Sequence, residues 1–318
     1  MKTTHWMAVS VAALLLVWGA VSGAAAQEKQ VGLMWIGKSN MTKRVATGFL
    51  HRMEELAPQI KVVRKIQLPN IAEAERVFEE LEASADGVVF LRSSGAMFLG
   101  KAGCKKACFV GSCDDPKALG AVRHPEAPEG KITGVTYHIP FEKRFDALTA
   151  VFPKVKSLAL LAQRGDPATL VEQAGTRAQC QKRGIVYHEV IAYDVNELVE
   201  GMEAIADKVD LFVIASTGLS MDNVAIEAQT ATPRNKPLFS YAAGRTKAGA
   251  TAELAGDDLK LGGMLAESVI EVVGKGTPIK SVPVRTDPDP KLLINETMME
   301  KLGLEIPQGV LGTATVVR

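Results

Sequence analysis

Short apolar runs alternate with amphipathic segments along the chain after residue 30. Runs of this length, bounded by turn residues and separated by segments of helical periodicity, predict buried strands of mostly parallel sheets that are covered by helices. The predicted strands are residues 31–37, 60–68, 87–94, 107–112 and 131–137, followed by 157–163, 185–193, 210–217, 236–241 and 248–254.

The segments between these runs carry helix signals. Val45, Phe49 and Met53 recur at helical spacing after the first strand. Asp166 before Pro167 is the order expected of an N-cap and the first residue of a helix. A later helix is predicted over 257–273, where Gly274 and then Pro278 provide the stop signals.

The two halves of the chain repeat the same order of elements. The stretch ADGVVFLRSS at 85–94 corresponds to VDLFVIASTG at 209–218, and KKACFVGSCDD at 105–115 corresponds to NKPLFSYAAG at 235–244. Because the mature length suits two units of about 100–150 residues, we favour two similar α/β lobes over a single large sheet. We expect an N-terminal lobe of about 27–138 plus 256–289, a C-terminal lobe of 139–255, and a tail of 290–318 near the hinge. The linkers are expected near 137–140, 254–258 and 282–289.

The first 26 residues are typical of a secretory signal peptide. Lys2 precedes an apolar run from Met7 to Val21, and the segment ends in three alanines with cleavage expected near Ala26. A single membrane anchor is the alternative, although the run is short for a span of about 20 residues. We therefore expect an exported, soluble protein in the periplasm.

Charge and motifs exclude several functions. Lys and Arg total 37 against 36 for Asp and Glu, and no basic stripe interleaved with aromatic residues indicates nucleic-acid binding. The sequence contains no G-x-S-x-G, phosphate-loop lysine or HExxH motif, so neither an enzyme nor a cofactor is expected. The histidines are scattered and no CxxC occurs, so no metal site is expected either.

The four cysteines leave a disulfide open. An oxidising compartment permits pairing, and Cys104 could bridge Cys113 or Cys108, whereas Cys108 and Cys113 lie along one extended segment. Cys180 is expected to be a packed residue in the other lobe. Sequence alone does not decide between the pairs.

Candidate ligand-binding residues come from the carboxyl ends of the predicted strands, where open α/β sheets bind ligands. The alternative for each Ser, Thr or Asn is that it only caps the following helix. Phe98 is either core or an apolar pocket wall. The candidates are Lys38, Ser39, Asn40, Arg92, Ser93, Ser94, Phe98, Ser112, Cys113, Asp114, Tyr137, Gln163, Arg164, Ser216, Thr217, Ser240, Tyr241 and Glu253.

Several stretches resemble the ABC-transporter substrate-binding proteins of the tryptophan/tyrosine-binding type. The resemblance rests on Gly262-Gly263, GTP at 276–278, LLIN at 292–295, KLGLEIP at 301–307 and GKITGVT at 130–136, in order over nearly the whole mature chain. It implies the type I periplasmic binding protein fold: two Rossmann-like lobes with parallel sheets flanked by helices, joined by a three-crossover hinge. It also implies a ligand in the cleft between the lobes.

The chain departs from that family where ligand residues are expected. CFVGSCDDP at 108–116 and SSGAMFLGKAGC at 93–104 are more apolar and richer in cysteine than the family pattern. Three functions follow: a binding component that delivers a small solute to an inner-membrane permease, a carrier of an apolar ligand such as a lipid for another trafficking system, and a ligand-sensing input protein. We expect a monomer that closes about its hinge around the ligand.

Overall fold

The computed structural model describes residues 28–318, so the predicted signal peptide and its cleavage site lie outside the described residues. The described chain forms a five-stranded and a seven-stranded sheet. The first sheet contains β1 (Gln30–Ile36), β2 (Lys61–Leu68), β3 (Gly87–Leu91), β4 (Ala107–Gly111) and β5 (Ile132–Gly134). The second contains β6 (Ser157–Gln163), β7 (Val186–Ala192), β8 (Leu211–Ile214), β9 (Leu238–Ser240), β10 (Ala252–Ala255), β11 (Lys291–Asn295) and β12 (Ala314–Val317).

Both sheets share one strand order. The first runs β2-β1-β3-β4-β5, and the second contains β7-β6-β8-β9-β10, which is the same order in the second half of the chain. All pairings within these two sets are parallel. The predicted fold class, two parallel-sheet α/β lobes flanked by helices, is confirmed.

Helices occupy the connections between the strands. Polar caps start several of them: Ser39 accepts a hydrogen bond from the amide of Thr42, Asn70 from Glu73, and Asp194 from Asn196 and Glu197. The α-helices are α1 (Asn40–Leu56), α2 (Ile71–Ser84), α3 (Ser93–Ala102), α4 (Phe141–Val151), α5 (Pro167–Arg183), α6 (Val195–Ile205), α7 (Gly218–Asp222), α8 (Val224–Ala231), α9 (Asp258–Val269) and α10 (Glu296–Lys301). The helix predicted over 257–273 changes to π-helical geometry at Ile270–Gly274.

Glycines let α1 and α9 approach closely. A Cβ on Gly262 would lie 2.1 Å from the carbonyl oxygen of Val45, and one on Gly48 would lie 2.1 Å from that of Leu259. Real Cβ atoms do not come this close to backbone, so neither position accommodates a side chain without movement of a helix. α9 therefore packs on the first sheet although it follows the second-lobe strand β10.

The chain passes between the two sheets three times. The first passage follows β5, the second joins β10 to α9, and the third leads from Val282 towards β11. The first and third run side by side, because Val135 and Arg285 form an isolated parallel bridge. These passages form the hinge that the resemblance implied.

The C-terminal tail extends the second sheet. In residues 290–318, β11 pairs antiparallel with β10, and β12 pairs parallel with β11. The expected packing of this tail near the hinge stays a prediction. The two strands add an edge that the first lobe does not have, and the repeat between the two halves gave no signal for it.

Candidate functional site

A cavity of about 350 Å³ lies between the two sheets. Its walls come from the segments after β1, β3, β4 and β5 on one side, and from those after β6, β7 and β8 on the other. Twelve of its eighteen lining residues have polar side chains. They are Ile36, Ser39, Met41, Thr42, Arg92, Ser93, Ser94, Ser112, Tyr137, Gln163, Arg164, Gly165, Asp166, Pro167, Tyr193, Ser216, Gly218 and Met221.

The strand order explains this location. In each sheet the first strand of its half lies between the second and third strands, so the connections after the first and third strands leave on opposite faces. A crevice therefore opens at that point, beyond the carboxyl ends of the strands. The crevices of the two sheets face each other, and the cavity lies between them.

Arg92 is the most constrained residue of the cavity wall. It precedes α3 with φ 77° and ψ 161°, a conformation almost restricted to glycine. Its Nη1 donates to the carbonyl oxygen of Ile36 at 2.7 Å, and its Nη2 lies 3.7 Å from Oδ2 of Asp166 in the second lobe. Ser112, on the neighbouring strand end, also has positive φ, at 49°. Backbone strain concentrated at one cavity is typical of a ligand clamp.

Hydroxyl groups line the first-lobe wall. Ser39 caps α1, and the Oγ1 of Thr42 lies 3.0 Å from the Oγ of Ser112. Ser93 accepts a hydrogen bond from the amide of Asp114. Ser39 and Ser93 thus serve the local backbone and line the cavity at once, so the capping and binding interpretations do not exclude each other here.

The second-lobe wall is built on the N-terminus of α5. Asp166 caps this helix through the amide of Ala168 at 2.9 Å, and the side chain of Gln163 accepts from the amide of Leu219 at 2.9 Å. Burial raises the pKa of Asp166 above its ordinary value, although the cap and Arg92 act in the opposite direction. The buried Oγ of Ser216 has no hydrogen-bond partner among the described residues.

A buried ionic cluster lies beside the cavity and joins the lobes. Nη1 of Arg144 donates to Glu172 at 2.9 Å, and its Nη2 lies 3.6 Å from Asp114. Nδ1 of His138 donates to the same oxygen of Asp114 at 2.6 Å. Arg144, Asp114 and Glu172 are almost fully buried. The cluster connects β4, the first passage, α4 and α5.

The two carboxylates of this cluster differ in pKa direction. Burial acts to raise the pKa of both carboxyl groups. At Asp114 the hydrogen bond from His138 and the charge of Arg144 outweigh the effect of burial, so its pKa falls below the ordinary value. Glu172 has Arg144 and only a long hydrogen bond from the amide of Ser216, so burial prevails and its pKa is raised. Burial lowers the pKa of Arg144, but the two carboxylates more than compensate and raise it.

Half of the predicted ligand residues line the cavity. Ser39, Arg92, Ser93, Ser94, Ser112, Tyr137, Gln163, Arg164 and Ser216 do so. Tyr137 also donates from its hydroxyl to the carbonyl oxygen of Ser216, which links the lobes. The other nine, Lys38, Asn40, Phe98, Cys113, Asp114, Thr217, Ser240, Tyr241 and Glu253, are not part of its wall.

The nine residues outside the wall have other roles. Phe98 packs against Phe78 and Phe90, with ring centroids 5.2 and 5.4 Å apart, so its core interpretation holds.

Polar residues of this group serve the backbone or the charge cluster. Thr217 accepts from the amide of Gln163, Ser240 from Ala242, and Glu253 from Gly244 and Thr246. The ring of Tyr241 packs against Arg144. Lys38 is exposed, and Asn40 reaches Asp222 across the cleft at 3.5 Å.

Sequence reasoning did not select nine of the lining residues. Asp166 and Pro167 were identified as a helix start, and since helix N-termini face the cleft, that signal could have placed them here. Tyr193 follows β7, the edge strand, and Met41, Thr42 and Met221 project from the first turns of helices. The remaining ones are Ile36, Gly165 and Gly218.

The cysteines are all free thiols in the described structure. Neither pair that the sequence left open, Cys104 with Cys113 or Cys104 with Cys108, is therefore formed, and the fully buried Cys113 has its Sγ 3.7 Å from the carbonyl oxygen of Val135. The extended path of β4 carries Cys113 towards β5, away from the loop that holds Cys104. The neighbouring Cys104 side chain and burial both raise the pKa of the Cys108 thiol.

Within residues 28–318, none of the helices combines the length and the hydrophobicity that a membrane span requires. No group of three or more His, Cys, Asp or Glu side chains in that range is arranged to hold a metal ion.

Comparison with known families identifies the chain's relatives. Residues 53–318 match the model of the family described as ABC transporter substrate binding protein. The chain belongs to this family. The predicted family and its general role, a substrate-binding protein of an ABC transporter, are thereby confirmed.

Individual relatives are distant in sequence. A tyrosine-binding protein of Clostridioides difficile is 22% identical over 191 residues, which cover 60% of this chain and 55% of that protein, so the match spans just over half of the relative's length. Two solved structures each cover 92% of this chain and 100% of their own, with a TM-score of 0.81. One is a conserved domain protein from Vibrio cholerae at 22% identity, and the other is the ABC domain in complex with L-Trp from Streptococcus pneumonia at 20%. At this identity they show the fold alone.

Proposed function

We propose that this protein captures one small polar solute in the cavity between its lobes and delivers it to the membrane subunits of an ABC importer. The observation that supports this most directly is the cavity itself, whose walls come from both lobes. A ligand that contacts both walls stabilises the closed arrangement, and closure distinguishes loaded from empty protein for a membrane partner.

The size and lining of the cavity favour a small solute. Its volume of about 350 Å³ is near the lower end of the range for ligand pockets, about 300–1,000 Å³. Hydroxyl, amide and charged groups predominate over Ile36, Met41, Pro167 and Met221. A lipid carrier would need a larger cavity with a mainly apolar wall, so that alternative has no support here. The ligands in the names of two relatives, tyrosine and L-Trp, make solutes of amino-acid size the first to test.

The same proposal places the protein outside the cytoplasm as a monomer. It rests on the signal peptide predicted over residues 1–26 and on family membership. The lobe boundaries of 27–138 plus 256–289 and of 139–255 belong to the proposal too, with the hinge passages as the axis of closure.

Native mass spectrometry tests the binding site. The protein purified from its natural host should carry a small solute, which extraction and identification will name. Gly218 lines the cavity, where an added Cβ would lie 3.3 Å from Oε1 of Gln163, so Gly218→Leu should fill the space and abolish the adduct. Gly309→Leu is the control, since no atom lies within 4 Å of its added Cβ. An adduct that survives Gly218→Leu would contradict binding in this cavity.

A further inference from the structure

The cavity offers a site for an anion at its first-lobe end. Arg92 occupies the N-cap position of α3, but its side chain makes no capping hydrogen bond. The amides of the first turn, from Ser93 onwards, therefore lack helical partners and point out of the helix N-terminus. These amides and the positive end of the helix dipole favour an anionic group. The guanidinium of Arg92 lies beside them, at the same cavity wall.

Arg92 has donors available for such a group. One bond goes from Nη1 to the carbonyl oxygen of Ile36, which fixes the side chain. Its Nη2 lies 3.7 Å from Asp166, beyond hydrogen-bond distance, so the interlobe ion pair does not occupy the guanidinium fork. A planar guanidinium with free N–H groups can donate two parallel hydrogen bonds to the two oxygens of a carboxylate.

The cavity lacks a matching site for an ammonium group. Asp166 is the single carboxylate among its lining residues: its Oδ1 caps α5 through the amide of Ala168, and its Oδ2 faces Nη2 of Arg92 at 3.7 Å. Asp114 is fully buried behind Ser93 and is not part of the cavity wall, and its Oδ1 contacts His138 and Arg144. A ligand ammonium near the α3 N-terminus would therefore meet Arg92 and the helix dipole, and the single lining carboxylate already lies opposite the charge of Arg92.

Neutral hydroxyl groups occupy the positions around this anion site. Thr42 and Ser112 lie on the first-lobe wall, and Ser216 lies opposite them on the second lobe. Ser216 is 4% exposed and its Oγ has no partner among the described residues, although it lines the cavity. A buried hydroxyl without a partner is costly unless a ligand or water completes it. A ligand hydroxyl provides both a donor and an acceptor to such a group.

We propose that the bound solute is a small α-hydroxycarboxylate, held through its carboxylate by Arg92 and the first turn of α3 and through its hydroxyl by the serine and threonine side chains. This inference rests on the proposed function and specifies its ligand class. It makes Arg92 the residue that selects an anionic ligand over a zwitterion of the same shape.

Matched ligand pairs test the inference by isothermal titration calorimetry on protein freed of its solute by unfolding and refolding. The pairs are L-lactate and L-alanine, 4-hydroxyphenyllactate and L-tyrosine, and indole-3-lactate and L-tryptophan, which differ only at the α-substituent. In at least one pair the hydroxy acid should bind at least tenfold more tightly. Equal or tighter binding of the amino acid in every binding pair would overturn the inference and still support a solute-binding cavity. Failure of all six to bind would overturn this ligand class alone, since the co-purifying solute tests the cavity independently.

Variants separate the charge from its structural effects. Arg92→Gln should lower the affinity for the preferred hydroxy acid at least tenfold. The hydroxy acid should then bind no more tightly than its amide, an uncharged analogue measured in the same way. Arg92→Lys should retain part of the difference in affinity between the acid and the amide. Arg177→Gln, at an exposed position on α5, is the control. It should change neither the affinity for the hydroxy acid nor the difference in affinity between the acid and the amide. An Arg92→Gln protein that keeps the preference for the anion would overturn the assignment of Arg92.

Discussion

Nη2 of Arg92 in the first lobe lies 3.7 Å from Oδ2 of Asp166 in the second, across the cavity that separates the two sheets. The pair links the two lobes, but only weakly, because the two atoms lie beyond hydrogen-bond distance. In the proposed function, closure is therefore left to the ligand. The polar wall and the strained backbone at Arg92 support our proposal that the solute binds at this end of the molecule.

The helix cap and the charge of Asp166 can be separated. Asp166→Asn keeps a capping side chain for α5 but removes the charge opposite Arg92, so the free energy of unfolding should fall by less than about 1 kcal/mol. Asp166→Ala removes both and should cost about 1 kcal/mol more than Asn. Urea unfolding measures both variants. An equal loss in the two would show that the cap contributes nothing.

Arg144 should be essential for the stability of the hinge region. Arg144→Met leaves the buried carboxylates of Asp114 and Glu172 without their shared cation, and breaking such a pair costs about 3–5 kcal/mol. Lys143→Met, at the neighbouring exposed position of α4, is the control and should change the free energy of unfolding little. Similar midpoints for the two variants in chemical unfolding would contradict the role of the cluster.

The α1–α9 contact predicts opposite effects at adjacent glycines. Gly262→Ala would place a methyl group 2.1 Å from the carbonyl oxygen of Val45 and should destabilise the protein by about 1–3 kcal/mol. At Gly263 the nearest atoms, in Arg52, lie 3.9 Å away, so Gly263→Ala should stabilise the helix by up to about 1 kcal/mol. Thermal unfolding of the pair checks the prediction, which a loss at Gly263 as large as that at Gly262 would refute.

Replacing the buried carboxyl group of Glu227 should stabilise the protein in a pH-dependent way. It is fully buried on α8, neither carboxylate oxygen has a partner among the described residues, and burial raises its pKa well above the ordinary 4.5 despite Arg245. A raised carboxyl pKa favours the protonated native state, so this group destabilises the fold increasingly as pH rises above 4.5. Glu227→Gln should therefore raise the melting temperature by a few degrees at pH 8 and change it little at pH 4.5.

The control for this effect is Glu79→Gln, at an exposed position of α2. It should show no such pH-dependent gain. If the gain from Glu227→Gln were the same at both pH values, the cause would be packing rather than ionisation.

The sequence predicted the strands well because their apolar runs are short and clearly bounded. It located the cavity because parallel strands end at one edge, and Arg92, Ser112 and Gln163, which it selected, lie in the cavity wall. It could not predict side-chain direction: Asp114 follows β4 like Ser112, but His138 and Arg144, distant in sequence, draw it away from the cavity. Residues such as Met221 and Tyr193 line the cavity through the relative placement of the lobes, which no local pattern encodes. The edge strands β11 and β12 have no counterpart in the internal repeat and were missed for that reason.

Small-angle X-ray scattering tests whether a solute bound between the lobes closes them. The mature protein should be measured after removal of its solute and again after saturation with the solute extracted from it. The radius of gyration should be smaller in the saturated protein, and this difference should be lost in Gly218→Leu. An unchanged radius of gyration under demonstrated saturation would contradict it.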